Sequence, residues 1–326
     1  MDYDLPGDLV YGETCASVGM VFFAYRMLKT EPRGEYADVL ERLLYNGTIS
    51  GMALDGKSFF YVNPLEVYPK KDREVEAFRH VKVERQKWFA CACCPPNLAR
   101  LAGSVGSYIY TQSEDRLLVN LYIGSEAKAF SGENQVRIRM ETEYPWKGNV
   151  RLELTCGSDR EWELGLHLPG WCRNFQVLTD GEEADYRERE GYLYLKRCWK
   201  GTHEIRFEME IKPRMVRANP KVRDNIGKTA VLRGPVVYCL EEEDNGPDLH
   251  CIQVTDKAVF KEEYRPDLLR GVVVLESVGR KQKTEEDRPL YSDSVEECYE
   301  EKKLTWIPYY AWANRGPGEM MVWVRR

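Results

Sequence analysis

No stretch of this 326-residue chain approaches the ~20 consecutive apolar residues that a membrane-spanning helix needs. Basic charge is not in excess either: 47 Lys and Arg stand against 53 Asp and Glu, a net charge of −6. The cations are scattered instead of forming a stripe and no nucleic-acid motif is present, so neither nucleic acid nor a membrane is an expected partner. Histidine is scarce. The four, His80, His167, His203 and His250, are dispersed and read as structural or exposed residues instead of ligands. The first residues, MDYDLPGDLVYGETC, lack the basic start and apolar core of a secretion signal. Repeats of fixed period and low-complexity segments are absent as well.

What is present suits a globular protein of two or three domains of roughly 100 to 150 residues each. The apolar fraction is 43%. In the N-terminal hundred residues the rhythm is helical. The segment EYADVLERLLYNG repeats Tyr36, Val39, Leu40, Leu43 and Leu44 along one face, with Gly47 expected to end the helix. A second helix is expected over 13–29, apolar all round and so packed on several neighbours. A third starts at Pro95 and Pro96, whose fixed φ suits a first helical turn. Beyond about Ser107 the period falls to two, in VRIRM, WELGLHL and IRFEMEI, as strands with one buried face require. A second β-rich block follows from Arg214, with charged loops EEEDNGPD and KQKTEEDRP. The expected boundaries are 1–108 helical, 109–213 β-sandwich and 214–326 β-sandwich, an α+β multidomain protein.

Ten cysteines are too few for a disulfide scaffold, and adjacent Cys93 and Cys94 cannot easily serve two distant partners. Reduced thiols, and with them the cytoplasm, are the expectation. Two short clusters carry groups that suit zinc: GETCAS, with Glu13 and Cys15, and CACCPPN, with Cys91, Cys93 and Cys94. Neither has finger spacing, although a Pro-Pro pair helps impose the sharp turn that adjacent ligands need. The competing reading is plain burial, because cysteine also serves as a small apolar core residue. Cys91, Cys156, Cys172, Cys198, Cys239, Cys251 and Cys298 read as packing or incidental thiols.

The stretches DYDLPGDLVYGETCASVGM, LYNG, FFYVNPLE, RQKWFACACCPPNLARL, LPGW, LRGPVVYCLE and IPYYAWANRG, in that order along the whole length, resemble glycoside hydrolase family 127, the β-L-arabinofuranosidase-like enzymes. The resemblance implies the C-terminal part of an (α/α)6-barrel helical domain followed by two jelly-roll-like β-sandwiches. It implies a Zn2+ ion held by Glu13, Cys15, Cys93 and Cys94. It makes Cys93 the nucleophile of a retaining hydrolysis of β-L-arabinofuranosides, with substrate an L-arabinofuranose-containing oligosaccharide or glycoconjugate. Tyr61 and Glu41 match family residues near the sugar; the plainer readings are a half-buried strand tyrosine and a solvated helix glutamate. The family's acid/base glutamate is expected upstream of Met1, so the chain by itself is expected to be inactive or incomplete, completed by a separate N-terminal half or associating as a homo-oligomer. His167 stands where relatives usually place Arg.

Two other functions fit the same residues. One is a non-catalytic carbohydrate-binding protein made mainly of its sandwiches. The other is a structural protein in which zinc only staples the helices together.

Overall fold

The structure, a computed structural model, describes residues 2–130, 132, 135–283, 289–291, 293 and 297–326. Part of the expected charged loop at 281–289 thus lies outside the described residues. The chain forms two compact units, each built from discontinuous segments. The first comprises 1–15, 46–95 and 213–326, the second 16–45 and 96–212. Residues 1–108 are therefore shared between them. Among the described residues no helix is long and apolar enough to cross a membrane, and none of the ten cysteines is in a disulfide.

In the second unit, helix α1 (Thr14–Thr30) buries Val18, Val21, Ala24 and Leu28, the three-and-four spacing of one face. It is apolar all round in sequence, yet Met20 and Phe23 remain exposed on its other side, so one stripe and not the whole surface is packed. Helix α2 (Gly34–Arg42) runs on through a π-helical turn, Leu43–Thr48, and a 3-10 turn, Ile49–Gly51. Gly47 therefore does not end the helix as expected; it sits inside the widened turn. Helix α3 (Pro69–Glu74) belongs to the first unit; α4 (Cys94–Ser104) and α5 (Gly106–Ile109) come next in the chain, α4 with Pro95 and Pro96 in its first turn, where missing N–H donors cost nothing.

Two sheets of the second unit enclose a single core. The five-stranded one runs in the order Arg187–Arg189, Tyr192–Cys198, Glu161–His167, Arg116–Val119, Tyr110–Gln112. The six-stranded one has Val136–Thr142, Asn149–Cys156 and Gly201–Met209 at its centre. Alternate residues Val136, Ile138 and Met140 face inward while Arg137 and Arg139 face out, which is the alternation legible in VRIRM. Leu164, Leu166, Leu193 and Leu195 from the first sheet close the core with Leu152, Leu154, Ile205 and Phe207 from the second.

In the first unit the C-terminal strands form a ten-stranded sheet in which Val236–Glu241 pairs with both Lys228–Arg233 and Tyr299–Pro308. The short strand Glu66–Val67 joins this sheet antiparallel to Met320–Met321, so the segment that carries Tyr61 is tied to the C-terminal strands. A final helix, α6 (Glu242–Asn245), follows the strand Val236–Glu241.

Two expected outcomes test this packing. A Cβ on Gly148 would lie 1.8 Å from the carbonyl oxygen of Met209, a backbone atom with no room to give. Gly148→Ala should cost about 2 kcal/mol or more in chemical denaturation, while Gly157→Ala, with nothing within 4 Å, should stay within about 0.5 kcal/mol. The second concerns Asp38 of α2. Its Oδ1 accepts the Gly170 N–H at 2.9 Å and lies 3.2 Å from His167 Nε2. Burial pushes this carboxyl up, but His167, the Gly170 N–H and Arg42 outweigh it and hold it below the usual range. A depressed carboxyl contributes stability that is present above its unfolded value of about 3.9 and lost as pH falls through the lowered folded value. Denaturation midpoints of wild type and Asp38→Asn should accordingly converge on acidification below about pH 4.

Candidate metal centre

The site begins with the alternation around Thr14. The Thr14 side chain is fully buried; its hydroxyl donates to the Phe60 carbonyl at 2.9 Å and accepts from Asn63 Nδ2 at 2.9 Å. With Thr14 turned inward against Gly51, where a Cβ would lie 2.5 Å from the threonine, the neighbouring Glu13 and Cys15 are turned the other way. Asn63 locks this strand-like turn. Its N–H and Nδ2 both bond the Gly12 carbonyl, at 2.9 and 3.0 Å, and its Oδ1 accepts from Ser50 at 2.8 Å. Glu13 forms an antiparallel bridge with Val62, and the Thr14 N–H reaches the Tyr61 carbonyl at 3.0 Å.

The second arm, 85–94, is anchored by Arg85. This guanidinium is 7% exposed and has no carboxylate partner in its hydrogen bonds. It bonds the Ser50 carbonyl through Nε and Nη2 at 3.0 and 2.8 Å, the Trp312 carbonyl at 2.6 Å and the Tyr310 carbonyl at 3.2 Å. Its plane lies 4.5 Å from the Phe60 ring centroid, and Phe60 stacks on Trp312 at 4.7 Å. Burial lowers its pKa to about 10, so it stays charged at neutral pH. Phe59 and Gln86 then exchange two backbone hydrogen bonds of 2.9 Å, and the chain runs on through Phe89 to the cysteines.

The two arms bring Glu13, Cys15, Cys93 and Cys94 together, with their donor atoms all within 4.8 Å of one another. Cys15 Sγ is 3.6 Å from Cys94 Sγ, Cys93 Sγ is 3.9 Å from Cys94 Sγ, and Cys93 Sγ is 3.5 Å from Glu13 Oε1. A tetrahedral zinc with bonds of about 2.3 Å to sulfur and about 2.0 Å to oxygen has S···S edges of about 3.8 Å and S···O edges of about 3.5 Å. These three edges match those of a zinc tetrahedron, and the donor set has the chemistry of one. Cys15 lies in the first turn of α1 and Cys94 opens α4, where unpaired backbone N–H groups favour negative charge. Burial and the contact with Cys15 nonetheless push the Cys93 thiol up, and burial with the same neighbour pushes Cys94 much further. Ionising three sulfurs here calls for a cation.

Tyr61 stands beside the cluster, its ring edge-on to that of Tyr11 at 6.2 Å; interaction of its hydroxyl with Cys93, first, and with Tyr11 raises its pKa well above the usual phenol value. Glu41 is not one of the clustered donors. It belongs to the second unit and is 1% exposed, its Oε1 taken by the Tyr144 hydroxyl and its Oε2 by Trp171 Nε1 at 3.1 Å. Burial raises its pKa, only partly opposed by His167 and those two bonds. The solvated glutamate of the plainer reading is thus absent. Cys91, taken from sequence as an incidental thiol, is exposed, but it hydrogen-bonds Cys93. Sequence reasoning also missed Asn63, Thr14 and Arg85. The only signal was their presence within FFYVNPLE, GETCAS and RQKWFACACC, since no spacing rule links an asparagine at 63 to a threonine at 14.

Comparison with known proteins is consistent along the whole chain. Residues 1–107 match the profile described as beta-L-arabinofuranosidase, GH127 catalytic domain, residues 116–211 the GH127 middle domain, and residues 213–325 the glycoside hydrolase family 127 C-terminal domain. The chain belongs to glycoside hydrolase family 127. It is 42% identical over 340 residues to a non-reducing end β-L-arabinofuranosidase of Bifidobacterium longum, covering 100% of this chain and 50% of that one. The crystal structure of a family 127 β-L-arabinofuranosidase from Geobacillus stearothermophilus T6 superposes with TM-score 0.96 at 49% identity, over 100% of this chain and 51% of that one. A second solved family 127 β-arabinofuranosidase gives TM-score 0.88 at 36% identity, over 100% and 51%. This family 127 chain therefore spans about half the length of the relatives it matches. The mixed fold with several sheets is common to them.

Because Asn63 holds the backbone on either side of Glu13 without touching the donors, Asn63→Ala should weaken zinc binding by about 10- to 100-fold. Chelator competition measures this, with Asn97→Ala on the exposed side of α4 as a control that leaves it unchanged.

Proposed function

We propose that this chain carries the nucleophile and zinc site of a retaining β-L-arabinofuranosidase acting on non-reducing-end β-L-arabinofuranosides. The observation that carries the reading is the asymmetry among the three sulfurs. Cys94 is wholly buried, whereas Cys93 is half-buried. Cys15 is half-buried as well; of these two sulfurs Cys93 is the one beside the Tyr61 hydroxyl, and it is the one assigned to substrate. The fold assignment that goes with this reading is the C-terminal part of an (α/α)6-barrel over 1–108, followed by jelly-roll-like sandwiches over 109–213 and 214–326.

When bound, a zinc ion at Glu13, Cys15, Cys93 and Cys94 would keep the sulfurs ionised at neutral pH. Cys93 Sγ then attacks the anomeric carbon of the furanose. The C–S bond forms as the bond to the leaving oxygen breaks, and that oxygen takes up a proton. Water next attacks the same carbon, giving a proton to the group that protonated the leaving oxygen, and displaces the sulfur as thiolate, so two inversions leave the configuration retained. Glu13 is committed to the cluster, so the proton for the leaving oxygen comes from a group other than the four ligands. Tyr61, beside Cys93, is the residue that would bond a hydroxyl of the sugar or steady the thiolate. For Glu41 a sugar contact is supported by the resemblance alone, because both of its oxygens are engaged internally.

The test is covalent labelling of the zinc-loaded chain with an arabinofuranose-configured epoxide, read by peptide mass mapping. The label is expected on Cys93 and absent in Cys93→Ala. Zinc bound with no label on Cys93 would instead make the metal a staple.

A further inference from the structure

We infer that a second sugar-binding site lies in the first unit, in the cavity bounded by the strand Glu66–Val67, helix α3 and the turn Leu249–Cys251, where Asp72 accepts from the hydroxyls of an L-arabinofuranosyl unit and Tyr68 packs against it. The kind of sugar rests on the reading of the chain as part of an arabinofuranosidase; the cavity itself does not.

The cavity measures about 330 Å3, and all of its lining residues belong to the first unit. None of Glu13, Cys15, Cys93, Cys94 or Tyr61 lines it, so it is not part of the metal centre. Val67, Leu249, Met320 and Met321, all buried, give it an apolar wall. Four carboxylates also line it, and three of them already have partners. Lys71 Nζ lies 2.6 Å from Asp8 Oδ2, Lys228 Nζ lies 3.5 Å from Glu66 Oε2, and Glu319 accepts the N–H groups of Asp248 and Leu249 at 3.0 and 2.7 Å. Asp72 is the exception. It is 8% exposed, and its Oδ2 has no hydrogen-bond partner among the described residues. Burial, with Asp8 and Glu66 adding to it and Lys71 opposing it, pushes this carboxyl up to about 6, as expected of an acid short of donors.

The chemistry of the wall selects the ligand. An anion is disfavoured beside four carboxylates. A divalent cation needs several converging oxygen donors, and among the described residues the one group of three or more such side chains within 4.8 Å of one another is the cluster at Glu13, Cys15, Cys93 and Cys94. A hydroxyl suits both signs of the wall: it donates to Asp72 and accepts from Lys71, whose ammonium has three protons and gives one to Asp8. Tyr68 adds an aromatic surface, 39% exposed and edge-on to His250 at 6.4 Å, and such a ring offers an apolar body beside a polar tip. The wall is held in advance. Glu66–Val67 pairs with Met320–Met321, and Glu319, just before that strand, fastens the turn that carries His250. An apolar wall with a few convergent polar groups is the usual form of a small-molecule site, and this volume stands at the small end of that range.

The test is titration of the zinc-loaded chain with a trisaccharide of L-arabinofuranose, read by calorimetry and by hydrogen–deuterium exchange of its peptides. Bound sugar should protect peptides covering 66–72 and 247–252. Asp72→Asn removes one charged acceptor and should weaken this binding by roughly 10-fold or more; Tyr68→Ala, at an exposed position, should weaken it as well without loss of folding. Protection confined to peptides carrying Glu13 or Cys93, no binding at all, or wild-type affinity in either variant would each overturn the proposal. Protection of the same peptides by calcium chloride and not by the trisaccharide would overturn it too, making the cavity a cation site. Failure of the underlying reading is separate: the sugar epoxide would then leave wild-type Cys93 unlabelled, whereas failure of this inference alone leaves that label in place in wild type, Asp72→Asn and Tyr68→Ala.

Discussion

A single buried cation holds together everything that the metal centre needs. Arg85 spends its donors on the carbonyls of Ser50, Tyr310 and Trp312, three points that no local structure would bring together. A guanidinium suits this task because its planar fork can reach several acceptors at once while stacking on an aromatic face. The carbonyls in turn offset the cost of removing the charge from water. Through Ser50 the same residue reaches Asn63, and through Asn63 the turn that exposes Glu13 and Cys15. Both arms of the cluster therefore hang from one set of backbone acceptors.

That rigidity matters because the ligands are mutually unfavourable. Three sulfurs and a carboxylate within 4.8 Å repel one another once ionised, and burial adds to the penalty for Cys94. Helix N-termini at Cys15 and Cys94 ease the repulsion by a fraction of what is required. A divalent cation bound there would supply the remainder. The site is built for charge it cannot sustain alone.

The second unit solves a different problem with similar means. Glu41 and Asp38 lie one helical turn apart on α2 and are both taken up internally, the first by Tyr144 and Trp171, the second by His167 and Gly170. Gly34 and Gly191 meet so closely that a Cβ on Gly34 would lie 2.9 Å from the Gly191 Cα. Helix α2 is thus docked by carboxylates and by two absent side chains. Its amphipathic pattern was readable in EYADVLERLLYNG, but the pattern treats Glu41 as polar and therefore exposed. A periodicity argument has no means of seeing that Tyr144 and Trp171, more than a hundred residues away in sequence, return to meet it.

The sequence by itself determined the change from helical to β rhythm near residue 107, the inward faces of the central strands, the family, and the four residues that form the donor set. These are carried by local period or by motifs with chemically restrictive residues, and both survive without knowledge of distant contacts. Only the tertiary structure decided that Gly47 sits inside a π-turn, that Met20 and Phe23 stay exposed, that Arg85 and Asn63 fasten the two arms, and that Glu41 is sealed away from solvent. Each of those depends on which carbonyls and rings meet across tens to hundreds of residues. Backbone hydrogen bonding and close packing are fixed only when the whole chain has closed on itself.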